Sequence, residues 1–364
     1  MRLGFMIRKS LSEKKMGKSP GSLIFTGEKK LEQPVISVFQ YDSHHFEEKQ
    51  IEDPQELEAY KSGSYPTWIK ITGLHDVNKI EKIGDVFNIH PLVLEDILNV
   101  NGIIKSEDYD EYLFLVAKQA EFKGFEEELL FEQLSFILTN KCLITFQEKE
   151  LDFLEMIADR LRSNKGRIRK QGEDYLMYRI LDTLVDNYSA ILENFDDQIN
   201  KVEDDFLRQT DSSPLGSIHA LRKKVIALRR IILPLRDAVY AVERDRIPLF
   251  ERSTFIFFRD LLDHIKKNVE TTDNLREAMN GMLEINLSYA NQKMNEVIKL
   301  LTVISTIFIP LSFIVGIYGM NFRPESGFLN MPEITWKYGY ITVMGIMLII
   351  TLVLIYFFKK KKWF

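Results

Sequence analysis

An amide, several clustered carboxylates and a long uncharged run are the parts of this chain equipped for chemistry. Asn321 closes the run, which extends from Leu300 to Phe322 without a charged residue. Its side-chain oxygen accepts hydrogen bonds, so it can hold water that is itself coordinated to a metal ion. Gly319, two positions earlier, can leave helical geometry at low cost and turn the chain, and Met320 lies between them. Upstream, Asn295, Ile298, Leu301 or Thr302, Ser305, Ile309, Ser312, Gly316 and Gly319 recur at spacings of three and four. That is one stripe of a coiled-coil-like helix. The stripe is polar at Asn295, Thr302, Ser305 and Ser312, small at the glycines and apolar at Ile298 and Ile309. Close packing of membrane helices also favours Ser, Thr and Gly, so the stripe alone has two readings. A naked divalent ion would find no compensating charge along it. A pathway here would pass the ion with most of its water attached.

The carboxylates form the second candidate. Glu95 and Asp96 are adjacent acids in the otherwise apolar segment His90 to Val100, and Asp260 and Asp263 lie one helical turn apart. Clustered carboxylates repel one another, and a cation between them offsets that repulsion. The plainer reading is acids that cap helices or pair with a nearby base. Asp196, Asp197, Glu203, Asp204 and Asp205 read as the solvated face of a long helix. Other chemistries lack their parts. Gly17-Lys18-Ser19 has neither the upstream glycine nor the strand–helix context of a phosphate loop. The six histidines form no HExxH pattern, and no Cys/His spacing marks a structural zinc. No acid lies within the apolar runs to relay protons. The sequence points neither to an enzyme nor to a nucleic-acid partner.

The elements that must position these groups divide sharply. A second uncharged run, Tyr338 to Phe358, ends at Lys359 to Lys362. Each run exceeds the roughly 20 helical residues needed to cross a bilayer core. Residues 299–364 carry seven basic and two acidic side chains, while the chain as a whole is −5, so the acidic excess lies in the rest. Four lysines after the second span place that end in the cytoplasm, and two spans put the large N-terminal part there too. The N-terminal patch Leu3 to Ile7 is too short for a signal-peptide core. The single cysteine, Cys142, fits a reducing compartment.

Strands are predicted at 22–26, 35–39, 67–72, 112–117, 134–138 and 141–146, with helices at 76–87 and 92–98 between them. The fold class is an α/β domain with a mixed sheet and flanking helices. It is followed by a long helical hairpin, Glu173 to Ser213 and Ile218 to Val242, broken at Pro214 and with a kink expected at Pro234. A stalk helix from Arg259 to Gly319 would span about 90 Å and end as the first membrane span. The expected division is a flexible basic arm 1–21, a cytoplasmic α/β domain 22–165, the hairpin 166–257, the stalk and first span 258–320, an extracytoplasmic loop 321–337, the second span 338–358 and a basic tail 359–364.

Ile317-Tyr318-Gly319-Met320-Asn321-Phe322, followed by Met331-Pro332-Glu333 after the first of two adjacent spans, resembles the signature of the CorA family of magnesium channels. The resemblance extends over about residues 20–364, strongest at 67–72, 90–100, 147–149 and 301–322. It implies a homopentamer in the cell inner membrane that conducts Mg²⁺ inward, with Co²⁺ or Ni²⁺ also admitted. Gly319, Met320 and Asn321 would be the selectivity element. Cytoplasmic Mg²⁺ would be sensed by acids between neighbouring subunits, and the matching positions are Glu95, Asp96, Asp182, Asp260 and Asp263. The partners implied are further copies of the chain, membrane lipids and divalent cations. Two rivals stand beside this reading. One is a Zn²⁺ transporter of the same architecture, against which the intact tripeptide speaks. The other is a membrane-anchored metal-sensing scaffold whose hairpin is only an anchor.

Overall fold

The structure is a computed structural model that describes residues 17–124, 128–207, 215–322 and 331–363. The break expected at Pro214, most of the N-terminal arm and residues 323–330 of the loop between the spans lie outside those residues. Contacts divide the chain into two units, Met1–Met279 and Asn280–Phe364.

The first unit is built on a seven-stranded sheet of order β2-β1-β3-β7-β6-β5-β4. The strands are β1 (Val35–Tyr41), β2 (Phe46–Ile51), β3 (Thr67–Thr72), β4 (Lys105–Asp108), β5 (Leu113–Glu121), β6 (Leu130–Leu138) and β7 (Cys142–Gln147). All neighbours are antiparallel except β3 and β7, which pair in parallel with Trp68 opposite Leu143. A parallel pair needs a crossover, and the chain between Thr72 and Cys142 supplies it. All six residues of β3 and all six of β7 are buried. That is the pattern of strands covered on both faces.

One face is covered by α2 (Val77–Phe87) and α3 (Pro91–Leu98), which follow a short helix α1 (Glu58–Lys61). Ile80, Ile83, Val93, Leu94 and Ile97 pack there with Ile36, Ile69, Ile71 and Ile144 of the sheet. Both helices start as predicted. Asp76 Oδ1 accepts from the Lys79 amide, and His90 Nδ1 accepts from the Leu92 amide ahead of Pro91. Gly84 permits the close approach of α2 to α3: a Cβ there would lie 2.4 Å from Leu94 Cδ1. The opposite face carries α5 (Glu173–Leu207) and α6 (Leu215–Asp245), with α4 (Asp152–Arg162) before them. The Tyr188 hydroxyl donates to the Lys118 carbonyl of β5, and Ser106 Oγ of β4 donates to the Ala238 carbonyl of α6 at 3.0 Å. Pro234 lies inside α6 without ending it.

The segment 22–26, predicted as a strand, is not one. It lies over the end of α3, where the Thr26 amide donates to the Leu98 carbonyl at 3.1 Å. A free helix-terminal carbonyl takes its backbone donor, so no ladder forms. Farther on, Lys30 Nζ reaches Glu132 at 2.7 Å and Glu148 at 3.2 Å.

A polar cavity of about 730 Å³ opens at the start of α5, lined by Lys141, Arg169, Glu173, Asp174 and Glu251 among others. Burial pushes the Glu173 carboxyl up to about 7; Asp174 and Glu251 add to the rise, and its own amide and Lys141 oppose it. A carboxyl raised in the folded state stabilises the fold below its unfolded pKa, and that contribution is lost as pH climbs to 7. Glu173→Gln, which mimics the protonated form, is therefore expected to melt above the wild type at pH 8. The gain is on the order of 1–3 kcal/mol and should disappear by pH 4. Equal melting temperatures at both pH values would show that Glu173 ionises freely.

The long helix α7 runs Thr254–Tyr318, 65 residues, and holds Pro310 inside it. It begins four residues before the expected 258. In the second unit it is followed by a 3₁₀ turn at Pro332–Thr335 and by α8, Gly339–Lys360. The two membrane-length windows, on α7 and α8, have mean hydropathies of 2.4 and 2.7, and each is only 6% buried. A soluble core helix would be covered. These two are not, so a hydrocarbon solvent or other helices must cover them.

Candidate functional site

Asn295, Ile298, Leu301, Thr302, Ile309, Ser312 and Gly316 are all exposed on α7, and Ser305 is half-buried. The predicted stripe is therefore an uncovered helical face. The Thr302 hydroxyl donates to the Ile298 carbonyl at 2.7 Å, which leaves its oxygen lone pairs free for water. The helix ends where the motif begins. The Gly319 amide makes the last bond of α-helical spacing, to the Val315 carbonyl at 2.9 Å. Met320 then bonds back to Ile317 at 3.1 Å, and Asn321 lies beyond the helix with its side chain exposed. The turn needs no left-handed residue at Gly319. The glycine matters for room instead: a Cβ would stand 3.2 Å from the Val315 carbonyl and 3.5 Å from that of Gly316.

The acids sort into two groups. Glu95 and Asp96 sit in the last turns of α3. Glu95 Oε2 accepts from the Gly21 amide at 2.8 Å, and Asp96 Oδ2 lies 2.8 Å from Lys105 Nζ. Lys105 is also held by Glu107 at 2.7 Å. The base beside Asp96 is thus a lysine from the edge strand β4. The second group spans α5 and α7. Asp182, Asp186 and His264 have ligand atoms all within 4.8 Å of one another. Asp260 adjoins them, 4.0 Å from His264 Nε2. Asp182 is buried and lies 2.6 Å from Arg179. Burial raises its carboxyl above the ordinary range and Arg179 opposes this; Asp186 and Asp260 raise it further, while His264 lowers it. Asp263, one turn beyond Asp260, is exposed and faces Lys266 at 3.0 Å.

Of the predicted acids, the structure thus gathers Asp182 with Asp260, ties Asp263 to its own helix and leaves Glu95 and Asp96 engaged elsewhere. Sequence reasoning passed over Asp186 and His264. Each stands four residues after a chosen acid, Asp182 and Asp260, which puts it on the same helix face. Two carboxylates and an imidazole with converging ligand atoms can hold a divalent cation. The oxygens suit Mg²⁺, and the nitrogen suits the later transition metals.

A sheet-and-helix unit followed by one long helix with an uncovered apolar end, and then by a second uncovered apolar helix, is the element order of a membrane protein of the ion-transporter class. Residues 63–360 match the sequence profile of the family described as "CorA-like Mg2+ transporter protein", and the chain belongs to that family. It is 42% identical over 358 residues to the cobalt/magnesium transport protein CorA of Thermotoga maritima, covering 98% of this chain and all of that one. Identity to the cobalt/magnesium transport protein CorA of Methanocaldococcus jannaschii is 29% over 255 residues, covering 70% of this chain and 78% of the other. The solved complete structure of the M. jannaschii magnesium transporter superposes with a TM-score of 0.75 at 24% identity, over 91% of this chain and 99% of that one. That likeness is one of fold.

Proposed function

We propose that this chain forms a homo-oligomeric channel for hydrated Mg²⁺, which also admits Co²⁺ or Ni²⁺ and closes when cytoplasmic Mg²⁺ is plentiful. The observation that carries the reading is the uncharged stripe of α7, exposed on the single chain and ending at Gly319-Met320-Asn321. Two spans cannot enclose water, so several copies must set this face around an axis, and the family resemblance implies five. Asn295 and Asn321 then become rings of amide oxygens. Ile298 and Ile309 become apolar constrictions that block conduction by dewetting. Inward flux needs no coupled reaction. The membrane potential supplies about 4.6 kcal/mol per divalent ion at 100 mV, at about 2.3 kcal/mol per charge. With both termini in the cytoplasm of the inner-membrane topology, the soluble unit samples internal Mg²⁺.

Closure would follow from Mg²⁺ held by acids of neighbouring copies: Glu95 and Asp96 from one side, Asp260 with Asp182 from the other. The exposure of Asp260 leaves it accessible to such a partner. Asp186 and His264 extend the acidic side, and the imidazole would favour Co²⁺ or Ni²⁺ there over Mg²⁺.

The test is flux into liposomes that contain only this protein. Mg²⁺ uptake should require an inside-negative potential and fall as Mg²⁺ inside rises. Excess external Zn²⁺ should compete poorly. Absence of flux from a correctly assembled preparation would leave the scaffold reading, and preferential Zn²⁺ flux would leave the zinc reading.

A further inference from the structure

We propose that the cleft where α6 ends and α7 begins binds a nucleoside di- or triphosphate. The cleft has a volume of about 550 Å³, and Arg246, Arg252 and Arg259 line it together with Glu243, Phe250 and Phe255. That volume is within the range of small-molecule sites. Arg259 Nη2 lies 3.2 Å from Glu243 Oε1. Among the described residues no carboxylate lies within 4 Å of Arg246 or Arg252. Three guanidiniums thus face one carboxylate, and the planar fork of each matches phosphate oxygens in pairs. The start of α7 adds to this field. Its first turn carries no acidic residue, so its unbonded amides are not already answered by a side chain.

Two further features narrow the ligand. The Phe250 and Phe255 rings lie 5.8 Å apart, and the neighbouring Ile256, also on the cleft, is 70% exposed. A bare phosphate has no use for an apolar wall, whereas a purine or pyrimidine ring can lie against one. Arg246 has φ +47. This left-handed backbone favours glycine over a residue with a Cβ. Position 246 directly follows the last residue of α6, where a left-handed residue commonly ends a helix, and this sets the Arg246 side chain at the mouth of the cleft. Lipid headgroups share the phosphate chemistry, but Leu300, where the apolar run starts, lies far along the sequence from Arg259. Arg259 directly precedes Asp260, so a bound polyphosphate would add negative charge beside that acid.

The experiment is calorimetric titration of the chain in detergent micelles containing EDTA, with ATP, ADP, pyrophosphate, inorganic phosphate and phosphoinositide vesicles as separate arms. ATP or ADP should bind more tightly than pyrophosphate, and binding should weaken with added salt. Arg252→Ala and Arg246→Gly should each weaken it about tenfold, the loss of one charge-assisted pair. Glycine is at ease with a positive φ, so Arg246→Gly should keep or raise the melting temperature, and weakened binding there cannot be put down to misfolding. Pyrophosphate binding as tightly as ATP would overturn the nucleoside assignment, and binding to the vesicles alone would overturn it too. Undiminished binding in both variants, or no binding in the wild type, would overturn the site. None of these measurements involves ion flux, so their failure leaves the transport reading standing.

Discussion

Asn321→Ala is expected to cut Mg²⁺ flux by about a hundredfold or more while the oligomer still assembles. The magnitude follows from the proposed water-binding ring, in which an amide oxygen facing a metal-bound water makes a charge-assisted hydrogen bond, worth about 1.5–3 kcal/mol each. Among the described residues no hydrogen bond of the Asn321 side chain is lost with it. Asn321 lies beyond the last turn of α7 with an exposed side chain, so alanine leaves no cavity. Gly319→Ala provides a contrasting case, because its Cβ would press on the Val315 carbonyl at 3.2 Å and disturb the turn itself. Wild-type flux through assembled Asn321→Ala oligomers would remove Asn321 from the selectivity element.

The second large effect concerns closure. Asp96→Ala combined with Asp260→Ala should move the inhibitory midpoint of internal Mg²⁺ upward by about tenfold or more. A ligand shifts a gate only by its difference in affinity between the states. Taking a gate from 1:99 to 99:1 needs about 5.5 kcal/mol in all. Shared over the five sites of the proposed pentamer, that is about 1 kcal/mol per site, which two lost carboxylates readily remove. The pair is chosen for its small folding cost. Lys105 keeps Glu107 when Asp96 goes, and Asp260 is exposed. Asp182 would be a poorer choice, since its removal strands Arg179 beside a buried position. The double variant should also lose Mg²⁺-dependent protection of the soluble unit from protease. An unchanged dose–response in both assays would make these acids structural and place the sensor elsewhere.

The sequence made legible whatever rests on apolar periodicity. β1, β3, β5, β6 and β7 alternate or run apolar through the core, and the long helices repeat every three or four residues, so all were predicted. The strands β2 (Phe-Glu-Glu-Lys-Gln-Ile) and β4 (Lys-Ser-Glu-Asp) were not, because they form the two edges of the sheet and carry charge where a core strand carries valine or isoleucine. Ser22 to Thr26 failed in the opposite sense. Its composition is that of a strand, but its backbone donor goes to the end of a helix. The stripe lies on one helix and the tripeptide follows directly at its end, so both are visible in a contiguous stretch of sequence. The meeting of Asp182 and Asp186 with His264 depends on α5 lying against α7, a juxtaposition that no local pattern encodes.

The charged edges of the sheet also bear on how such a chain is made. The first unit ends at Met279, ahead of both apolar runs, so a ribosome working at about 5–20 residues per second completes it roughly 4–16 s before the second span is finished. During that interval a finished sheet waits in water beside other nascent copies. Exposed Glu47, Glu48 and Lys49 on one border and the four-residue β4 on the other make strand-to-strand growth between copies unfavourable. Charged borders of this kind keep copies from joining edge to edge through their sheets.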